Sequence, residues 1–235
     1  MSTPMEDVPD ESVLDAPVWS SLTGAHRVLA EIHGSAGRYD PEVCPFAAVA
    51  PGAGVDGLAD LRALVGPGGR TVVAFLGVAP PPGWSVELDR PGVQMVGPHL
   101  AVAPDPEAVL LGAADVPEML DLVGRTQPGP FLARTVELGG YLGIRRGGRL
   151  VAMAGERLRP SGYTEISAVC TDESLRGRGL ATRLVRAVGA AVRARGEIPM
   201  LHAAASNLGA IRLYESLGFE LRREVDFRLL RAPTV

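Results

Sequence analysis

The stretch YTEISAVCTDESLRGRGLATRLVRAVGAAVRARG, residues 163–196, decides how this 235-residue chain is read. Its first eight residues are rich in β-branched and aromatic side chains, and Thr171, Asp172, Glu173 and Ser174 interrupt them, so a strand is expected to end there. From Leu180 the apolar positions Leu184, Val185, Val188, Ala191 and Val192 recur every three to four residues, with Arg183, Arg186, Arg193 and Arg195 mostly between them. That spacing predicts an amphipathic helix, with Gly196 placed to cap its end. A helix entered through Gly177 and Gly179 presents unpaired N–H groups and a positive dipole end, which suits an anion such as pyrophosphate. The glycines let backbone approach it, and Arg176 or Arg178 can add charge-assisted contacts.

Two familiar nucleotide loops are excluded by inspection. All 23 basic residues are arginine, so a glycine-rich loop ending in Lys-Ser or Lys-Thr is impossible. A dinucleotide fingerprint needs a third glycine where Thr182 stands.

Arg176, Gly179 and Ala181 match R-x-x-G-x-A, and Asn207, Ala210, Tyr214, Gly218 and Phe219 complete N-x-x-A-x-x-x-Y-x-x-x-G-F. With these two ordered motifs, residues 107–235 resemble the GCN5-related N-acetyltransferase (GNAT) superfamily, and closely its branch related to glycine N-acyltransferases. The resemblance implies an α/β fold of the α+β type, with a central mixed, mostly antiparallel sheet flanked by helices. It also implies acetyl-CoA as acyl donor, a primary amine as acceptor, and no metal. By the family pattern the backbone of Val169, Cys170 and Thr171 pairs with the pantetheine arm and polarises the thioester carbonyl. Arg176, Gly177, Arg178, Gly179, Leu180, Ala181 and Thr182 hold the pyrophosphate, and Asn207 contacts the cofactor arm while capping the next helix. Tyr214 stands where family members protonate the departing thiolate, although a ring packed beneath the helix is the plainer alternative.

Glu165 lies eleven residues before Arg176, the spacing at which histone-type members carry their general base. A protonated amine must lose a proton before it attacks, and a partly buried carboxylate can take it directly or through water. A strand residue paired with an arginine is the competing account, and Glu156 is the reserve candidate. Direct attack in a ternary complex needs no covalent enzyme intermediate. Cys170, in an apolar strand without a supporting histidine, reads as an inert small hydrophobe, and His202 as a satisfied core histidine, with a place facing the pocket as its alternative.

Upstream, Val109–Leu111 and Asp115–Val123 read as a strand and a helix, Phe131–Leu138 as a second helix, and Tyr141–Ile144 with Arg149–Leu158 as a hairpin. The segment Arg125 to Leu132 is expected to line the acceptor pocket. Met200–Ala205 reads as the strand after the long helix, and Glu220–Arg223 and Val225–Leu230 as two closing strands.

Residues 1–12 are polar and acidic and read as a disordered tail without a secretory signal. Residues 13–106 carry a helix at Val18–Ile32, a strand at Phe46–Val49, a helix at Val55–Leu64, and strands at Thr71–Val78, Trp84–Leu88 and Val93–Val96. Strand, Pro51-Gly52-Ala53-Gly54 turn, helix and strand echo the cofactor half of 107–235 without its arginine. A degenerate acetyltransferase-like domain that completes the acceptor pocket is expected, against an unrelated stabilising cap.

Residues 1–106 hold 5 Arg against 13 acidic residues, and 107–235 hold 18 Arg against 14. The arginine excess suits a polyanionic cofactor and the acidic half a cationic amine, or the halves complement one another across an interface. No basic stripe with interleaved aromatics points to nucleic acid, no apolar run reaches the ~20 residues of a membrane span, and two cysteines make no disulfide framework. The reading is therefore of a soluble, cytoplasmic N-acetyltransferase acting on a small-molecule primary amine, monomer or homodimer. A peptide or protein amine is the competing substrate, and a non-catalytic acyl-CoA-binding module the competing class.

Overall fold

The computed structural model describes residues 9–74 and 80–234. Among the described residues eleven strands form one sheet in the order β1-β2-β3-β4-β11-β5-β10-β9-β8-β7-β6. In chain order they are β1 Ala30–His33, β2 Ala36–Tyr39, β3 Phe46–Val49, β4 Arg70–Ala74, β5 Ser85–Val96, β6 Val109–Leu111, β7 Tyr141–Arg146, β8 Arg149–Glu156, β9 Tyr163–Thr171, β10 Ile198–Ala204 and β11 Glu220–Arg231. The helices are α1 Pro17–Thr23, α2 Gly54–Val65, α3 Val116–Thr126, α4 Leu180–Ala194 and α5 Leu208–Leu217. Most pairings are antiparallel; β3 with β4 and β9 with β10 are parallel, each joined by a crossover helix.

The helix α4 forms where the periodicity predicts it. Leu184, Val185, Val188 and Val192 are buried against Ile144, Ala152, Ile166 and Leu201 of the sheet, so one apolar stripe is removed from water. It ends as expected, with Gly196 at φ 75 and its N–H on the Arg193 carbonyl. On the opposite face α3 buries Met119 and Leu122 against Tyr141, Met153 and Cys170.

Several sequence expectations give way to tertiary pairing. The helix expected at Val18–Ile32 stops at Thr23, and Ala30–His33 instead pairs with Ala36–Tyr39 as a hairpin turning at Gly34. Of Phe131–Leu138 only Thr135–Leu138 is helical, as one 3₁₀ turn. The two segments around Pro91 are one strand, because Pro91 falls beyond the β10 pairing, which begins at Gly92, and needs no donor on that side. The two closing strands are likewise one, β11, with a register shift between Leu221 and Arg223. Within Thr71–Val78 the strand covers Thr71 to Ala74, and the remainder lies outside the described residues, as do residues 1–8 of the expected tail. Residues 9–12 pack onto the body, where the Pro9 carbonyl accepts from the Tyr163 hydroxyl at 3.2 Å.

The order β2, β3, α2, β4 repeats that of β8, β9, α4, β10: an antiparallel pair, a crossover helix, then a parallel strand. The two stretches share one sheet, since β5 lies between β10 and β11, and β11 pairs with β4.

Candidate active site

Strands β9 and β10 pair only from Tyr163–Glu165 to Ile198–Met200 and then part. Beyond that point β9 runs on to Thr171 and β10 to Ala204 without pairing to each other. Opposite the opening, β9 carries a bulge: its register on β8 shifts between Met153 and Gly155, and Ala168 sits at φ 52, a strained conformation for a residue with a Cβ. An extended chain can enter such a split and bond the backbone that the strands leave exposed.

The glycine loop lies at the end of β9. Asp172 pins its start, accepting from the Ser174 N–H at 3.1 Å and pairing with Arg125 of α3. Gly177 and Gly179 have φ 73 and 75, and a Cβ on either would meet no atom within 4 Å. Glycine is therefore required by the backbone conformation, and the space before it is open. The N–H groups of Gly177 to Thr182 donate to no backbone carbonyl among the described residues. Arg176 and Arg178 are exposed and take part in no ion pair there. Arg183, one turn on, differs: Asp105 holds it at 2.6 and 2.7 Å, and that contact draws the Asp105 carboxyl down to about 2. The cradle thus keeps two uncommitted guanidiniums beside a helix N-terminus. Thr171 adds, at the strand end, a buried Oγ1 without a partner among the described residues. These donors fit a pyrophosphate and a pantetheine arm.

Val169 and Cys170 face opposite sides of β9, Val169 toward the α4 core and Cys170 toward α3. Burial pushes the Cys170 thiol up to about 11, which leaves it an inert thiol at neutral pH. Tyr214, on α5, is 8% exposed and packs edge-on to Phe219 at 5.9 Å. Burial pushes its hydroxyl up to about 12, so it holds its proton at physiological pH. Asn207 caps α5, its Oδ1 accepting from the Ala210 N–H at 3.2 Å.

Glu165 is fully buried on the face opposite α4, at the apex of the split. Its carboxylate accepts from Arg157 at 2.9 and 2.5 Å, from the Leu158 N–H at 3.3 Å, and from His202 Nδ1 at 2.7 Å. Burial alone would raise its pKa, but Arg157 and His202 outweigh it and hold the group far below the usual carboxylate range. Four donors occupy the roughly four acceptor directions of a carboxylate. The reserve carboxylate, Glu156, is tied to Arg195 at 3.0 Å.

His202 therefore lies in the network rather than in a plain apolar core. A carboxylate only accepts, so Nδ1 carries the hydrogen and Nε2 accepts from Gln94 Nε2 at 3.1 Å. Arg222 donates to Gln94 Oε1 at 2.8 Å and the Leu14 carbonyl accepts from Gln94 Nε2 at 3.0 Å, which fixes that amide's orientation. Arg157 stacks over Phe46 at 5.0 Å, and Phe227 meets the His202 ring edge-on at 5.5 Å. Arg157, Gln94, Phe46 and Phe227 carry no motif. The only local signal was Gln94 itself, a polar residue between Val93 and Met95. In the segment expected to line the acceptor pocket, Arg125 latches α3 to Asp172, while Phe131 packs on Tyr141. Among the described residues no group of three His, Cys, Asp or Glu side chains could hold a metal, and no helix is long and apolar enough to cross a membrane.

Comparison with known proteins agrees with this geometry. Residues 141–228 match the family model described as FR47-like protein. The chain is similar to N-alpha-acetyltransferase RimI of Mycobacterium tuberculosis, 34% identical over 131 residues that cover 81% of that protein and 49% of this one. A solved structure from Novosphingobium aromaticivorans, described as a GNAT-family acetyltransferase, superposes with a TM-score of 0.86 at 46% identity, over 94% of this chain and 99% of the other. A GCN5-related N-acetyltransferase from Kribbella flavida shares the fold at a TM-score of 0.62 and 20% identity, covering 94% of this chain and 96% of that one.

Proposed function

Because the chain belongs to the GNAT family of acyl-CoA-dependent N-acetyltransferases, we propose that it acetylates the primary amine of a small molecule. The observation that carries this reading is the closure of the acceptor face. Glu165 is 0% exposed and the His202 side chain 2% exposed, with Leu14 bonded to Gln94 beside them and α1 and the Tyr39–Phe46 segment packed in the adjoining cluster, which argues against a polypeptide lying over these residues. Residues 13–106 act as a degenerate acetyltransferase-like half that builds one wall of the acceptor pocket. Its Pro51 to Gly54 turn lacks the arginines of the working cradle.

Acetyl-CoA, when bound, supplies an activated acyl group as a thioester. The Gly177–Thr182 N–H groups, with Arg176 and Arg178, hold its pyrophosphate at the α4 N-terminus. The backbone of Val169 to Thr171, unpaired on the β10 side, would hold its arm and offer fixed donors to the thioester carbonyl. Asn207 would hold the same arm from the head of α5, and Tyr214 would offer its hydroxyl proton to the sulfur. Glu165 contributes through His202: saturated by four donors, it holds the imidazole with the hydrogen on Nδ1, so that Nε2, which accepts from Gln94 here, is the nitrogen able to take the amine proton. The two buried free cysteines are in keeping with a cytoplasmic protein.

A protein N-terminal amine is the second reading, favoured by the similarity to an enzyme named as an N-alpha-acetyltransferase. That likeness covers 49% of this chain, so about half of it has no counterpart there. Thiol release from acetyl-CoA, measured with amino acids, polyamines, aminoglycosides and short peptides, separates the two. Release with small amines supports the proposal; release with peptides alone overturns it in favour of the second reading.

A further inference from the structure

Tyr141 opens β7 and is 1% exposed, yet its hydroxyl bonds to no group among the described residues. An unsatisfied buried hydroxyl is costly, and phenylalanine would fill the same space without that cost. The surroundings are shaped to hold this ring in place. Tyr141 pairs with Gly155 on β8, and Gly155 pairs with Ser167 on β9, so the three stand in one row across the sheet. A Cβ on Gly155 would lie 2.2 Å from Tyr141 Cδ1, so the glycine is what allows the ring to lie flat across β8. Phe131 closes on it edge-on at 5.5 Å with an interplanar angle of 80°. The ring shares its cluster with Ala168 and Cys170, the bulged part of β9 beside the opening of the split.

We infer that the Tyr141 hydroxyl is the group that positions the acceptor amine over the β9 bulge, and so helps set which amines are accepted. The inference rests on the reading of the chain as an amine acetyltransferase. The row Tyr141, Gly155, Ser167 leads to the segment of β9 that must face the thioester, and the hydroxyl lies on the same sheet face as Glu165 and His202. Burial drives its pKa above the usual phenol range, and the nearby Glu165 and Glu156 carboxylates push the same way while Arg157 opposes them. It therefore remains a neutral O–H that can accept an amine hydrogen without being ionised by it.

The test is Tyr141→Phe in the full-length protein saturated with CoA. Dissociation constants are measured by calorimetry for spermidine, kanamycin, phenylethylamine and alanine amide, with CoA affinity and melting temperature alongside. We expect at least one of these amines to bind the wild type and to lose about tenfold in affinity in the variant, a change typical of one hydrogen bond in a buried site. CoA affinity stays within about twofold and the melting temperature is equal or higher. Equal amine affinity in the two proteins overturns the inference, and so does the absence of binding by all four. If thiol release with a small amine persists unchanged in the variant, this role for Tyr141 falls while the proposed function stands. Loss of release from the wild type across the whole panel would instead remove the proposed function itself.

Discussion

Replacing Glu165 with Gln removes one charge from a fully buried site and leaves the Arg157 guanidinium, with a side chain only 10% exposed, without its counter-ion. The amide offers one acceptor oxygen where the carboxylate offers two, and its NH₂ must face one of Arg157, His202 or the Leu158 N–H, all donors. Breaking a buried pair by removing one partner costs about 3–5 kcal/mol. For a chain of this size, each kcal/mol shifts the melting temperature by roughly 2–4 °C, so a fall of about 6–20 °C is expected. Acid stability gives the sign. The folded-state pKa of Glu165 is depressed, so its contribution is present above the ordinary carboxylate pKa of about 4.3 and is lost as pH falls toward the folded value. The variant should therefore show a shallower loss of stability below about pH 4.3. Urea unfolding followed by circular dichroism between pH 3 and 8 measures both effects, and the double variant Arg157→Met, Glu165→Leu should recover most of the loss. A single variant within about 1 kcal/mol of wild type, with an unchanged acid limb, would refute the account of this network.

Other expectations are more local. Tyr214→Phe should lower kcat by about 10²-fold or more with CoA affinity nearly unchanged, and because the wild-type hydroxyl titrates only near 12, kcat should not fall through its loss between pH 8 and 10. Arg176→Ala combined with Gly179→Trp should weaken CoA binding and flatten its salt dependence; calorimetry at two ionic strengths decides, and unchanged binding would remove the phosphate cradle. Asn207→Ala should cost about 1 kcal/mol in urea unfolding through loss of the α5 cap. Gly155→Ala should cost about 1–3 kcal/mol, because its Cβ meets the Tyr141 ring at 2.2 Å, and a neutral effect would show that the ring has room to move.

Much of this protein was fixed by its sequence within single turns and strands. Gly177 and Gly179 adopt positive φ because the loop requires it, Asn207 caps the helix that it precedes, and the Leu184, Val188, Val192 spacing places one face of α4 on the sheet. These are properties of neighbouring residues, so the glycine loop, the helix after it and the capped helix further on could be read before any contact was known. Where helical spacing and strand pairing competed, as at Ala30–His33, the distant partner won, because backbone hydrogen bonds between strands carry no mark in the sequence of one of them. The centre of the site belongs to that second class. Glu165 was visible by its distance from Arg176, but its meeting with Arg157 and His202, and through His202 with Gln94, depends on β9, β10, β5 and the end of β8 coming into register across the sheet. Its charge state and its burial follow from those long-range pairings, and so only the tertiary structure decided what that carboxylate can do.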